Sequence, residues 1–114
     1  MKANFSQRNL ARCESPEGFN HKLDSWTMAD WLCAVLGELG EAANVEKKLK
    51  RIEQGIRGNK ETETAESLRQ KLGNELADAH IYLNLAMQRA GFNPEYLVEC
   101  VFEQKSKQIG YPSP

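Results

Sequence analysis

Three long runs of apolar residues recur at helical spacing along this chain, and a weaker one precedes them. Met28, Leu32, Val35, Leu36, Leu39, Ala42 and Ala43 form a stripe of helical period. It predicts a core-facing helix opening near Ser25 or Thr27, where Thr27-Met28-Ala29-Asp30 reads as a capping box with Asp in place of Glu. Val45, Leu49 and Ile52 continue the line, turned toward the side that carries Glu38 and Glu41. Leu68, Leu72, Leu76, Ala79, Leu83, Ala86 and Ala90 predict a second helix from about Ala65 to Ala90, stopped by Gly91. With Ile81, Leu85 and Met87 added, this helix is apolar nearly all round from Leu76 to Met87, the mark of a buried helix. Asn93-Pro94-Glu95 starts a third, with Leu97, Val98, Val101 and Phe102 as its apolar face and an end near Ile109-Gly110, before a tail at 111–114.

Upstream, Phe5, Leu10 and Cys13 suit one side of a short helix closed by Ser15-Pro16-Glu17-Gly18, with Phe19 and Leu23 packing back. The connection at 54–66 holds two glycines and no periodicity, which argues against regular structure. Nothing reads as a strand, no repeat is visible and the chain does not divide. The expectation is a single all-α domain over 1–114, a helical bundle with two long antiparallel helices and a C-terminal helix.

Composition narrows the class without naming a function. The 114 residues are 40% hydrophobic and 27% charged, ordinary for one soluble globular domain. A net charge of −1 supplies no global field for a nucleic acid polymer or an anionic membrane, so any phosphate binding must be local. No apolar run approaches the ~20 residues of a membrane span. The polar opening Met1-Lys2-Ala3-Asn4 leads into no apolar signal region, and Cys13, Cys33 and Cys100 match no metal spacing. A cytoplasmic protein is expected, with Cys33 and Cys100 as small core residues.

The chemistry lies in two acidic pairs, Glu38-Leu-Gly-Glu41 and Glu75-Leu-Ala-Asp78. Positions i and i+3 share a helix face, so each long helix presents two carboxylates, and two packed helices gather four. Such a quartet in an apolar setting repels itself and loses hydration unless a cation joins it. A hard divalent ion, Mg²⁺ or Mn²⁺, suits oxygen ligands. Trp31, Ala34, Glu38, Glu41, Val45 and Lys48 fall within about 100° of arc. Trp31 and Lys48 lie two turns to either side of the pair, roughly 10 Å along the axis. A ring, an acid pair and a cation in one groove suit a nucleotide, and Tyr82, one turn beyond Asp78, suits its sugar or base. Gly37 and Gly40 each weaken the helix by up to about 1 kcal/mol relative to Ala, which close approach of a backbone or ligand would explain.

Each feature has a plainer account. A Glu-x-x-Glu pair is common on solvated helix faces, Trp31 suits a core or interface, and Lys48 suits a surface. The six basic residues between Lys47 and Lys60 suit a solvated helix end as well as a basic flap that closes on phosphates. His80 is read toward the core side of its helix, and its spacing is not the Glu-x-x-His of di-iron bundles.

The segment Trp31 to Lys48, with Gly37-Glu-Leu-Gly-Glu-Ala-Ala-Asn44 at its centre, followed by Glu75-Leu-Ala-Asp78-Ala-His-Ile-Tyr82-Leu, resembles the MazG-type all-α NTP pyrophosphatases. That superfamily includes the dimeric dUTPases and phosphoribosyl-ATP pyrophosphohydrolases. Its Glu-x-x-Glu and Glu-x-x-Asp hallmarks are matched at all four positions. Phe102-Glu-Gln-Lys105-Ser-Lys-Gln-Ile-Gly110 also resembles the end of small phage- or mobile-element-type members. The resemblance covers residues 25–110 and departs from compact members in a longer, more basic connection between the motifs.

The resemblance implies cleavage of a nucleoside triphosphate between the α and β phosphates in nucleotide-pool house-cleaning, with Mg²⁺ held by Glu38, Glu41, Glu75 and Asp78. It also implies a homodimer or homotetramer. Metal ions would neutralise phosphate oxygens and activate a water, with Glu38 or Glu41 as general base. Lys48, Lys105 and the basic loop are the candidates for holding pyrophosphate. The alternatives are a helical interaction module whose acids are structural, and the same fold working as a dUTPase or phosphoribosyl-ATP pyrophosphohydrolase.

Overall fold

The computed structural model describes residues 2–112, so Ser113 and Pro114 of the expected tail lie outside it. It is all-α: α1 (Phe5–Glu14), α2 (Met28–Gln54), α3 (Ala65–Arg89) and α4 (Pro94–Gln108), with a 3₁₀ turn at Leu23–Ser25. Among the described residues there is no strand, and no helix is long and apolar enough to cross a membrane.

The helix ends follow local chemistry. Asn4 and Gln7 form a reciprocal capping box on α1, and Asn93 accepts the Tyr96 N–H ahead of Pro94 in α4. At the start of α3, Thr64 Oγ1 accepts from Ser67 N at 3.1 Å while Ser67 Oγ accepts from Thr64 N at 3.0 Å. This is a box built from two hydroxyls, and the sequence pattern did not announce it. Helices α2 and α3 both end on a left-handed glycine, Gly55 (φ 68) and Gly91 (φ 90). The following amide then reaches back to Arg51 O at 2.8 Å and Met87 O at 3.0 Å respectively.

The chain groups into two compact units: Ala29–Leu83, and the segment up to Met28 together with the segment from Asn84 on. In the first unit the core is Val45, Leu49 and Leu68, with Leu72 packed against them, and Trp31, Val35, Ala42 and Ala79 are also buried. The predicted inner stripe of α2 is therefore only half right. Val35 and Ala42 are buried, whereas Leu32, Leu36 and Leu39 are 46%, 66% and 44% exposed. The helix is rolled toward its acidic side, so Trp31, Val45 and Leu49 take the inner position. The expectation of a buried α3 is corrected likewise: Leu76 and Leu83 are exposed, and so is His80, for which the helical pattern predicts the core side. Cys33, expected in the core, is exposed, while Cys100 is half-buried.

The second unit is held partly by polar contacts. Asn84 is buried; it donates to Ser6 Oγ at 2.9 Å and accepts from Asn9 Nδ2 at 3.0 Å and Gln88 Nε2 at 2.8 Å. Ser6 Oγ in turn donates to Glu95 Oε1 at 2.6 Å, and this bond holds the Glu95 carboxyl below the ordinary carboxylate range. The network ties α1 to the end of α3 and the start of α4. Cys13, Leu85 and Ala86 are buried apolar residues of this unit.

Candidate metal centre

Glu38 and Glu41 are one turn apart on α2, and Glu75 lies on α3. One carboxylate oxygen from each falls within 4.8 Å of the other two. Glu38 and Glu75 are half-buried and Glu41 is exposed, so the cluster opens to solvent through Glu41. Rolling α2 toward its acidic side is what brings this trio together, because the same roll buries Trp31 before Glu38 and Val45 after Glu41.

The electrostatics are those of acids held too close. The Glu41 carboxyl is pushed above the ordinary carboxylate range, first by its hydrogen-bonding contact with Glu75, then by the charge of Glu75 and by partial loss of hydration. Its contact with Glu38 and the charge of Lys71 act in the opposite direction. Glu75 Oε2 is buried and has no hydrogen-bond partner. A buried carboxylate oxygen without a donor is costly, and native structures rarely keep one. Three converging carboxylates, one of them carrying a buried oxygen with no partner, fit a hard divalent cation.

Asp78, the fourth expected ligand, lies one turn beyond Glu75, is exposed, and is not part of the three-carboxylate cluster. Trp31, proposed as a base platform, is 1% exposed, and its ring centroid is 6.3 Å from that of half-buried Tyr82. As placed, it is a wall of the core, and Tyr82 is the more accessible ring of the pair.

Lys48 is engaged by the connection between α2 and α3. Its Nζ lies 2.8 Å from Glu63 Oε2, and this contact holds the Glu63 carboxyl below its ordinary range, helped by the Lys60 N–H. Asn59 Nδ2 donates to Lys48 O at 2.8 Å and Asn59 Oδ1 accepts from Arg51 at 3.3 Å, so the turn is pinned to the end of α2. Lys47, Lys50, Arg57 and Lys60 remain exposed around it. Lys105 is exposed in the last turn of α4, in the other unit.

Sequence reasoning missed Lys71, Glu63 and Asn59. Lys71 was accessible to it, since it sits four residues before Glu75 on the same helix face. Asn59 and Glu63 act from an aperiodic loop, where spacing carries no signal. The chain matches none of the protein-family models, curated proteins or solved structures with which it was compared.

Proposed function

We propose that this chain is a Mg²⁺-dependent nucleoside triphosphate pyrophosphohydrolase of the MazG-like type that its acidic motifs resemble, cleaving (d)NTPs to (d)NMPs and pyrophosphate. The observation that carries the reading is the three-carboxylate cluster, one member of which, Glu75, carries a buried oxygen, Oε2, with no hydrogen-bond partner. Acids that served only solubility would spread apart into water. These converge from two helices, and one oxygen is buried without a donor.

Glu38, Glu41 and Glu75 would hold Mg²⁺ or Mn²⁺, with Asp78 drawn in when the ion and substrate are present. A bound ion there supplies charge neutralisation for phosphate oxygens and a more acidic water. Glu38 or Glu41 takes the proton as general base. Tyr82 offers its hydroxyl to the base or sugar, with Trp31 fixing its ring from behind. Lys48 exchanges Glu63 for a phosphate oxygen, and the exposed lysines of the α2 end raise the local concentration of the anion.

In the same reading α2 and α3 run antiparallel. The order of contacts supports this, with Trp31 beside Tyr82, Glu41 beside Glu75, and Val45 and Leu49 beside Leu68. The protein would work as a homodimer or homotetramer in the cytoplasm, in nucleotide-pool cleaning.

A second reading, a helical interaction module, is favoured by the exposed Tyr96, Val98, Val101 and Phe102 on α4. The test is pyrophosphate release from a panel of canonical and modified NTPs and dNTPs with and without Mg²⁺, beside Glu41→Gln and Asp78→Asn. Mg²⁺-dependent release by the native chain, lost in Glu41→Gln, is expected. No turnover of any nucleotide by folded protein would leave the interaction module as the better account.

A further inference from the structure

The connection between α2 and α3 holds more polar contacts than joining two helices requires. Both helix ends are closed without the Glu63 side chain: the Ile56 N–H returns to Arg51 O at 2.8 Å, and Thr64 and Ser67 cap the start of α3 between themselves. Asn59 pins the turn to α2, donating to Lys48 O at 2.8 Å and accepting from Arg51 Nη1 at 3.3 Å. Glu63 nonetheless engages both of its carboxylate oxygens. Oε2 accepts from Lys48 Nζ at 2.8 Å, and Oε1 accepts from the Lys60 N–H at 3.0 Å. These contacts, that of Lys48 first, hold its carboxyl below the ordinary range, so it sits there as an anion.

An ammonium and a backbone N–H gripping two oxygens of one acid is also how phosphate is held. The stretch favours anions of higher charge: between 47 and 60 there are six basic residues and one acid, Glu53. Lys48 shares a helix face with Glu38 and Glu41 and lies two turns past Glu41, about 10 Å along the axis. A lysine side chain and a row of phosphates together span such a gap. The hold on Glu63 is light. The side chains of the Lys48–Glu63 pair are 23% and 16% exposed, and ion pairs open to water are weak. Residues 55–58 and 60–62 are exposed, so no apolar burial fastens the connection there.

We propose that Lys48 Nζ and the Lys60 N–H form a seat for the terminal phosphate of a polyphosphate, that Glu63 is its tethered occupant, and that the ligand binds by displacing Glu63. The connection is then a self-inhibiting strap. A tethered competitor lowers apparent affinity according to the fraction of time it holds the seat. A polyphosphate, with more charge than one carboxylate, displaces it at sufficient concentration. The seat stands on these contacts alone, while its use by a nucleotide substrate rests on the pyrophosphohydrolase reading.

Binding of inorganic tripolyphosphate in metal-free buffer at fixed ionic strength tests the seat without an ion in the acidic cluster. Calorimetric titration compares native protein with Glu63→Gln, Lys48→Gln, the double variant and Glu61→Gln, which makes the same charge change at an exposed position two residues away. Circular dichroism confirms that each is folded. Glu63→Gln is expected to tighten binding about three- to tenfold and Glu61→Gln to leave it within about twofold. Lys48→Gln should weaken binding and abolish the gain from Glu63→Gln. In native protein the carbon-13 shift of the Glu63 carboxyl should move toward that of Glu61 as tripolyphosphate is added, a readout that needs no variant.

No binding by native or Glu63→Gln protein, no tightening beyond that of Glu61→Gln, or a Glu63 carboxyl unmoved at saturation overturns the seat. With Mg²⁺ and the nucleotide panel, Glu63→Gln should lower KM and leave kcat nearly unchanged. Tighter tripolyphosphate binding with no turnover by any folded protein refutes the enzyme reading alone. Turnover with the same KM in native and Glu63→Gln protein refutes the strap's hold on substrate.

Discussion

Replacing Trp31 with alanine separates the two roles this side chain could have. Trp31 is 1% exposed and packs against Tyr82 with ring centroids 6.3 Å apart. Emptying such a site removes the buried ring and leaves a cavity that two long helices close only in part, a loss of about 3–5 kcal/mol. For a chain of this length each kcal/mol lowers the melting temperature by about 4 °C or more, so a drop of at least ~12 °C follows. Urea and thermal unfolding by circular dichroism read the change. Trp26→Ala is the control, because Trp26 is 36% exposed and lies outside the Ala29–Leu83 core, and it should cost much less. In pyrophosphate release, Trp31→Ala should lose activity with folded fraction, whereas loss of a base platform would raise KM with stability intact. A stability loss under about 1 kcal/mol, ordinary for a peripheral position, would refute the reasoning and return Trp31 to the ligand.

Two other perturbations follow from the same contacts. The folded state favours protonated Glu41 over its ordinary value of 4.5. Stability from that proton is complete below 4.5 and is lost as pH rises through the elevated folded value. Without metal, Glu41→Gln should therefore gain on the native chain as pH climbs from about 4.5 toward neutrality, and Mg²⁺ should narrow that difference. A pH-independent difference in melting temperature would contradict it. Glu63 and Glu95 act with opposite sign, since their lowered values give stability that is lost on acidification, and both are common to the two proteins. Asn84→Ala removes one donated and two accepted hydrogen bonds in the other unit. At about 1 kcal/mol each the cost is about 2–4 kcal/mol by urea unfolding, and a loss below 1 kcal/mol would show that water replaces the network.

Helix identity was legible because each long segment carries its own punctuation. Pro94 behind Asn93, Gly91 after the last apolar residue, and the aperiodic stretch after Gln54 set boundaries within a residue or two of those observed. The acid pairing was legible for the same geometric reason, since i and i+3 must share a face wherever the helix packs.

The roll of α2 was not. Its apolar residues spread over nearly half the wheel, and periodicity cannot say which half faces the same chain and which is left outside. The acids held the answer: Trp31, Val45 and Leu49 lie on their side, and three carboxylates from two helices can meet only if that side turns inward. Asn84 and Gln88 within an apparently apolar helix were a comparable unread sign, matched by Ser6 and Asn9 three residues apart on α1. The pinning of Lys48 by Asn59 and Glu63 had no such sign, because loop contacts follow no period.

The central claim is that Glu38, Glu41 and Glu75 hold a divalent cation. Its most direct test is Mn²⁺ binding followed by electron paramagnetic resonance on native protein and on Glu75→Gln, which keeps shape and removes the charge beside the partnerless oxygen. Saturable binding by the native chain, displaced by Mg²⁺ and strongly weakened in the folded variant, is the predicted result. Absent saturable binding, or equal binding by both proteins, would contradict the account and leave the acidic cluster without an ion to explain it.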